Sequence, residues 1–122
     1  MHKEITMSND KVFSMPFAKV FPLLIAKAER KGRTREEVYL VTTWLTGYTA
    51  EHLDALLESN ADYASFLKGM PCPNENRRKI TGSVCGVKLG EIDDPLMLEL
   101  RYLDKLVDEL AKGKPIEKIL RK

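Results

Sequence analysis

Chemistry in this chain would fall first to its histidines and cysteines, and there are two of each: His2, His52, Cys72 and Cys85. A dedicated zinc site needs such residues paired at short spacing. The sequence has no histidine pair, no C-x-x-C and no H-E-x-x-H, so no metal and no cofactor is expected. A cysteine becomes a nucleophile only as a thiolate beside a base. His52 alone could supply an imidazole, and nothing in the spacing brings it near either thiol. Cys85, between Val84 and Gly86, reads as a small buried core thiol. Cys72, between Pro71 and Pro73, reads as a half-exposed loop residue.

Other groups have a bland reading beside a sharp one. Glu91, Asp93 and Asp94 could do acid–base or metal work. The simpler account is that they cap the helix that follows and suit the positive end of its dipole. Gly82, Gly86 and Gly90 match neither phosphate-loop pattern, and tight turns or close helix packing account for them. Arg77, Arg78 and Lys79, joined by Lys88, could bind phosphate or a nucleic-acid backbone. Arg30, Lys31, Arg33 and Arg35 form a second basic group. Most such runs are solvated faces. Val41 to Leu57 has the outline of a helix-turn-helix with Gly47 at the turn. Its second helix would set Glu51, Asp54 and Glu58 against phosphates, so ordinary helix packing is preferred. Trp44 and Tyr48 flank Gly47. Exposed together they could anchor a protein partner, although Trp44 reads better as a core residue.

These side chains need a scaffold, and the stretch able to provide it runs from Asp94 to Gly113. Asp94 is a favourable N-cap, Pro95 falls at the first helical position, and Lys112, Gly113 and Pro115 mark the stop. Leu96, Leu100, Leu103, Val107 and Leu110, with Leu106 and Ala111, form an apolar arc about 140° wide on a helix roughly 27 Å long. Arg101, Asp104, Lys105, Asp108, Glu109 and Lys112 take the opposite face. Two residues break the pattern: Glu99 intrudes on the apolar arc, and Leu98 lies on the charged side.

Shorter helices precede it. Phe17, Val20, Phe21, Leu24, Ile25 and Ala28 have helical spacing, interrupted by Pro22, so that helix begins near Phe21 or is kinked there. Thr34 and Glu37 form a capping box for a helix through about Thr46, closed by Gly47. Thr49 caps a third helix carrying Leu53, Leu56 and Leu57. Asp62 caps a fourth with Tyr63, Phe66, Leu67 and Met70. Pro71 to Asn76 is the clearest loop. Residues 80–92 are ambiguous between helix or irregular structure and a short strand pair. An isolated two-stranded hairpin is marginal alone, which favours the former. Ile116, Ile119 and Leu120 mark a last helical turn.

At 122 residues the chain can bury a core without a disulfide or metal. A net charge of +2 makes the chain as a whole no electrostatic binder of nucleic acid or anionic lipid, and 7% aromatic content limits stacking surface. Met1 to Asp10 lacks the apolar run of a signal peptide and reads as a flexible tail preceding one helical domain over residues 11–122. No stretch approaches the roughly 18 apolar residues of a membrane span. Both cysteines are expected reduced, in the cytoplasm.

The strings Phe13-Ser14-Met15-Pro16-Phe17, Lys31-Gly32-Arg33-Thr34, Trp44-Leu45-Thr46-Gly47-Tyr48, Ile80-Thr81-Gly82, Cys85-Gly86-Val87 and Asp94-Pro95-Leu96-Met97 precede a longer one, Arg101 through Ala111. Together they resemble the bacterial domain of unknown function 2200 family over nearly the whole chain past Lys11. Gly90 stands where that resemblance implies an acidic residue. The resemblance implies a small bacterial cytoplasmic domain and supplies no activity, cofactor or catalytic residue.

The expectation is an all-α domain, a small bundle of short capped helices around one long C-terminal helix, about 94–112, with 80–92 irregular or a minor β-turn segment. Its expected role is a non-enzymatic interaction domain, with a second copy of itself or another protein as partner. The alternatives are a nucleic-acid or phosphate binder using Arg77, Arg78 and Lys79, and an enzyme using Cys85 or the Glu91, Asp93 and Asp94 carboxylates.

Overall fold

A computed structural model describes residues 11–122 of the chain. The expected tail, Met1 to Asp10 with His2, lies outside the described residues. Residues 11–14 are helical, and the helices that follow are α1 (Phe17–Glu29), α2 (Arg35–Thr46), α3 (Ala50–Leu57), α4 (Tyr63–Lys68), α5 (Pro95–Ala111) and α6 (Ile116–Ile119). A 3₁₀ helix, Glu75–Lys79, precedes the antiparallel strands β1 (Ser83–Val84) and β2 (Val87–Lys88), and a second, Leu89–Glu91, follows them. No helix among the described residues is long and apolar enough to cross a membrane.

The caps fall where local chemistry places them. Thr34 and Glu37 make the reciprocal capping box of α2. Thr49 accepts from the His52 amide, Asp62 from the Ser65 amide, and Asp94 from the Leu96 amide. Helix α1 starts at Phe17, earlier than Pro22 suggests, and runs through the proline, which is exposed. An interior proline costs roughly 3 kcal/mol. The first turn is held despite that because Phe17 and Phe21 are fully buried and stack 4.9 Å apart, with Phe66 4.6 Å from Phe17. The Phe17 amide also donates to the Ala61 carbonyl at 2.9 Å.

Helix α5 is the axis. It packs against α1, α2, α4, the hairpin and α6, while α3 rests on α1. Leu100, Leu103, Leu106, Val107 and Leu110 are buried as their spacing demands. Its charged face is covered too: no residue from 96 to 111 is exposed. Glu99 pairs with Arg77, and Glu109, 5% exposed, is enclosed by Arg121, Lys114 and Lys105. Arg33 belongs to no solvated face. Its Nη1 donates to the Leu110 and Lys114 carbonyls at 3.2 and 2.8 Å, closing the C-terminal end of α5 while Glu37 orients the guanidinium.

Residues 80–92 correct the preference for helix or irregular chain. They form a two-residue hairpin flanked by 3₁₀ turns, in register Ser83 to Lys88 and Val84 to Val87. The hairpin does not stand alone. Ile80, Val84 and Leu89 are buried, β1 packs on α5, and Lys105 Nζ donates to the Ser83 carbonyl at 3.1 Å. The turn is Cys85-Gly86, with φ of 52° and 78°. Two successive left-handed residues are what a tight hairpin loop needs. This also corrects the reading of Cys85, whose thiol is exposed at the tip while its neighbour Val84 enters the core.

Candidate functional site

The basic triplet is divided among three tasks. Arg77 donates through Nε and Nη2 to both oxygens of Glu99, at 2.9 and 3.0 Å, and through Nη1 to the Asn74 carbonyl. That fork is fully engaged within the protein. Lys79 Nζ donates to the main-chain carbonyl of Lys122. Arg78 is exposed. Its Nη1 donates to the Tyr102 hydroxyl at 3.4 Å, and this contact, with the charge of Glu99, holds its guanidinium above the ordinary arginine value against the lowering effect of burial.

Arg78 stands at the rim of a groove of about 720 Å³ between the hairpin segment and α5. Ile80 and Leu89, both buried, line it together with the half-buried Ile92 and Leu98. Thr81, Ser83, Lys88, Glu91 and Tyr102 supply its polar groups. The hairpin turn makes this shape, because it brings residues 80–83 and 88–92 together beside Leu98 and Tyr102 of α5. Of the sequence candidates, Arg78, Lys88, Glu91, Gly82 and Gly90 come together here. Leu98 explains itself at this point: the leucine on the charged side of the helix lines the groove. Tyr102, Thr81 and Ser83 carry no signal in the sequence, since single hydroxyls at unrelated spacings form no pattern.

The other candidates lie elsewhere. Asp94 caps α5, and among the described residues no three His, Cys, Asp or Glu side chains gather as a metal ion requires. Cys72 is exposed and packs by its backbone against Gly47. Tyr48 is 4% exposed, its hydroxyl donates to the Phe66 carbonyl at 2.7 Å, and its ring stacks on Phe66 with His52 at its edge. Trp44 is half-buried against the core. Asp54 is exposed but not an isolated carboxylate. It accepts from the Tyr39 hydroxyl at 2.6 Å, and that hydroxyl accepts from Arg35 Nη2 at 2.7 Å, beside a second hollow of about 340 Å³. Burial and then the hydrogen bond to Asp54 raise the Tyr39 phenol above its usual value.

The arrangement is that of a small, mostly helical domain with one minor hairpin and an open groove beside its longest helix. The chain belongs to a bacterial family, DUF2200, described as an uncharacterized protein conserved in bacteria, whose profile matches residues 11–121. The resemblance seen in the sequence strings is thereby borne out. The fold is similar to the crystal structure of the uncharacterized protein SP1917, at 50% sequence identity over 90% of each chain and a TM-score of 0.87. No curated protein matches.

Proposed function

We propose that this is a non-catalytic binding domain of the bacterial cytoplasm, whose ligand lies in the groove between the hairpin and α5. The observation that carries the reading is the groove itself. It combines a partly buried apolar lining with a set of polar side chains, the usual make-up of a small-molecule or short-peptide site. Catalysis has less support. Cys72, Cys85 and His52, the groups best suited to nucleophilic work, do not line it. Two free thiols suit a reducing compartment. Self-association is the weaker form of an interaction role, because the large apolar side chains exposed among the described residues are only Leu23 and Leu40.

A fragment library screened by ¹H–¹⁵N chemical-shift mapping tests the proposal. Binders are expected to perturb amides from Ile80 to Ile92 together with Leu98 and Tyr102. Hits that cluster instead on α2 and α3, or a library with no hits in the groove, would sink it.

A further inference from the structure

Resting on that reading of the groove, we infer that the group it recognises is a monocarboxylate carried on an apolar body. The groove holds an excess of unspent hydrogen-bond donors. Nε and Nη2 of Arg78 donate to nothing among the described residues, since only Nη1 is engaged, at 3.4 Å from Tyr102. The Tyr102 hydroxyl accepts that bond, and its own proton has no acceptor among the described residues, although the residue is only 4% exposed. Thr81 and Ser83 add hydroxyls without side-chain partners, and Lys88 adds an ammonium. Apart from Tyr102 these groups are exposed, so they are open to a ligand that brings acceptors over the apolar lining.

Charge narrows the class. Arg77 is neutralised by Glu99, so the groove itself has Arg78 and Lys88 against Glu91, an excess of one positive charge. That balance suits a monoanion. A phosphate dianion is best served by a helix N-terminus or a nest of backbone amides as well as cations. The first turn of α5 does not line the groove, and Glu91 does. The free Nε–Nη2 edge of a guanidinium presents two parallel donors that match the two oxygens of a carboxylate. Ile80, Leu89, Ile92 and Leu98 then cover the hydrocarbon part of the ligand.

The test compares three probes that share a phenyl-alkyl body: 4-phenylbutyrate, its primary amide, and 3-phenylpropyl phosphate, titrated by calorimetry and by chemical-shift mapping. The carboxylate is expected to bind in the groove, with the amide about tenfold weaker or more, as loss of a charge-assisted pair implies. Arg78→Gln should lower carboxylate affinity by about tenfold and leave the amide unchanged, and Tyr102→Phe should act in the same direction. Equal binding of amide and carboxylate, or tighter binding of the phosphate ester, overturns the carboxylate assignment while the groove reading stands. If none of the three moves groove amides at millimolar concentration, both are overturned. The comparison of probes on the unmodified chain decides the matter even if a variant fails to fold.

Discussion

Tyr63 shows what a single residue contributes here. Its ring is part of the aromatic cluster with Phe17 and Phe66, and it is 1% exposed. Its hydroxyl, however, has no hydrogen-bond partner among the described residues. Burial, and then the charge of Asp104, push that phenol well above its usual range, so it stays neutral at any working pH. An unpaired buried hydroxyl costs about 1–3 kcal/mol. Tyr63→Phe keeps the ring and removes the orphan, so it should unfold at an equal or higher urea midpoint than the parent. A loss of more than about 1 kcal/mol would mean that the hydroxyl does have a partner, such as an ordered water.

Among the connecting elements, the junction after α2 is closely packed. Gly47 ends the helix with φ of 81°, and a Cβ there would lie 2.6 to 2.7 Å from the backbone and Cβ of Cys72. The loop is held against it by the Cys72 amide on the Thr46 carbonyl and the Asn74 amide on the Leu45 carbonyl. Gly47→Ala therefore meets both a disfavoured backbone and a fixed neighbour. It should cost about 3 kcal/mol or more in equilibrium denaturation, against about 1 kcal/mol at Gly113, where the φ is also positive but the space is open. Similar losses at the two positions would show that the loop yields.

Elements of this kind were legible in unequal measure. The caps at Thr34, Thr49, Asp62 and Asp94 join atoms two or three residues apart, so spacing alone displays them. The stop at Gly47 was equally plain, but the approach of Cys72 was not, because it depends on where the loop from α4 returns. The same holds for the candidate site. Arg77 to Glu99 spans 22 residues and Arg78 to Tyr102 spans 24. No local pattern separates the arginine that is consumed from the one that is free. Cys85 misled for a related reason. Its apolar neighbours suggest burial, whereas the hairpin turn, which needs two left-handed residues, carries it outward.

At the scale of the whole molecule, the C-terminal segment completes the enclosure of α5. Ile119 is buried, and Arg121 donates to Glu109 through Nη1 and Nη2 at 2.6 and 2.8 Å. Burial raises the Glu109 carboxyl, but Arg121 and Lys114 more than offset that and leave it below its ordinary value near 4.5. Folding thus favours the ionised form. Its contribution is fully present above the unfolded value and fades as pH falls through the folded one. Glu109→Gln should lose about 3 kcal/mol at pH 7, since it strands three cations beside a buried site. The deficit should shrink when melting is followed below pH 4.5. A deficit unchanged down to pH 3 would place the cost in packing and not in charge.

A helix packed by elements from both earlier and later in the chain also has a bearing on synthesis. Of the four helices from Phe17 to Lys68, α1, α2 and α4 leave the ribosome with apolar faces meant for a strut, Pro95 to Ala111, that has not yet been made. Until that strut emerges these helices can pack only on one another, and the apolar surface that it covers stays open to water.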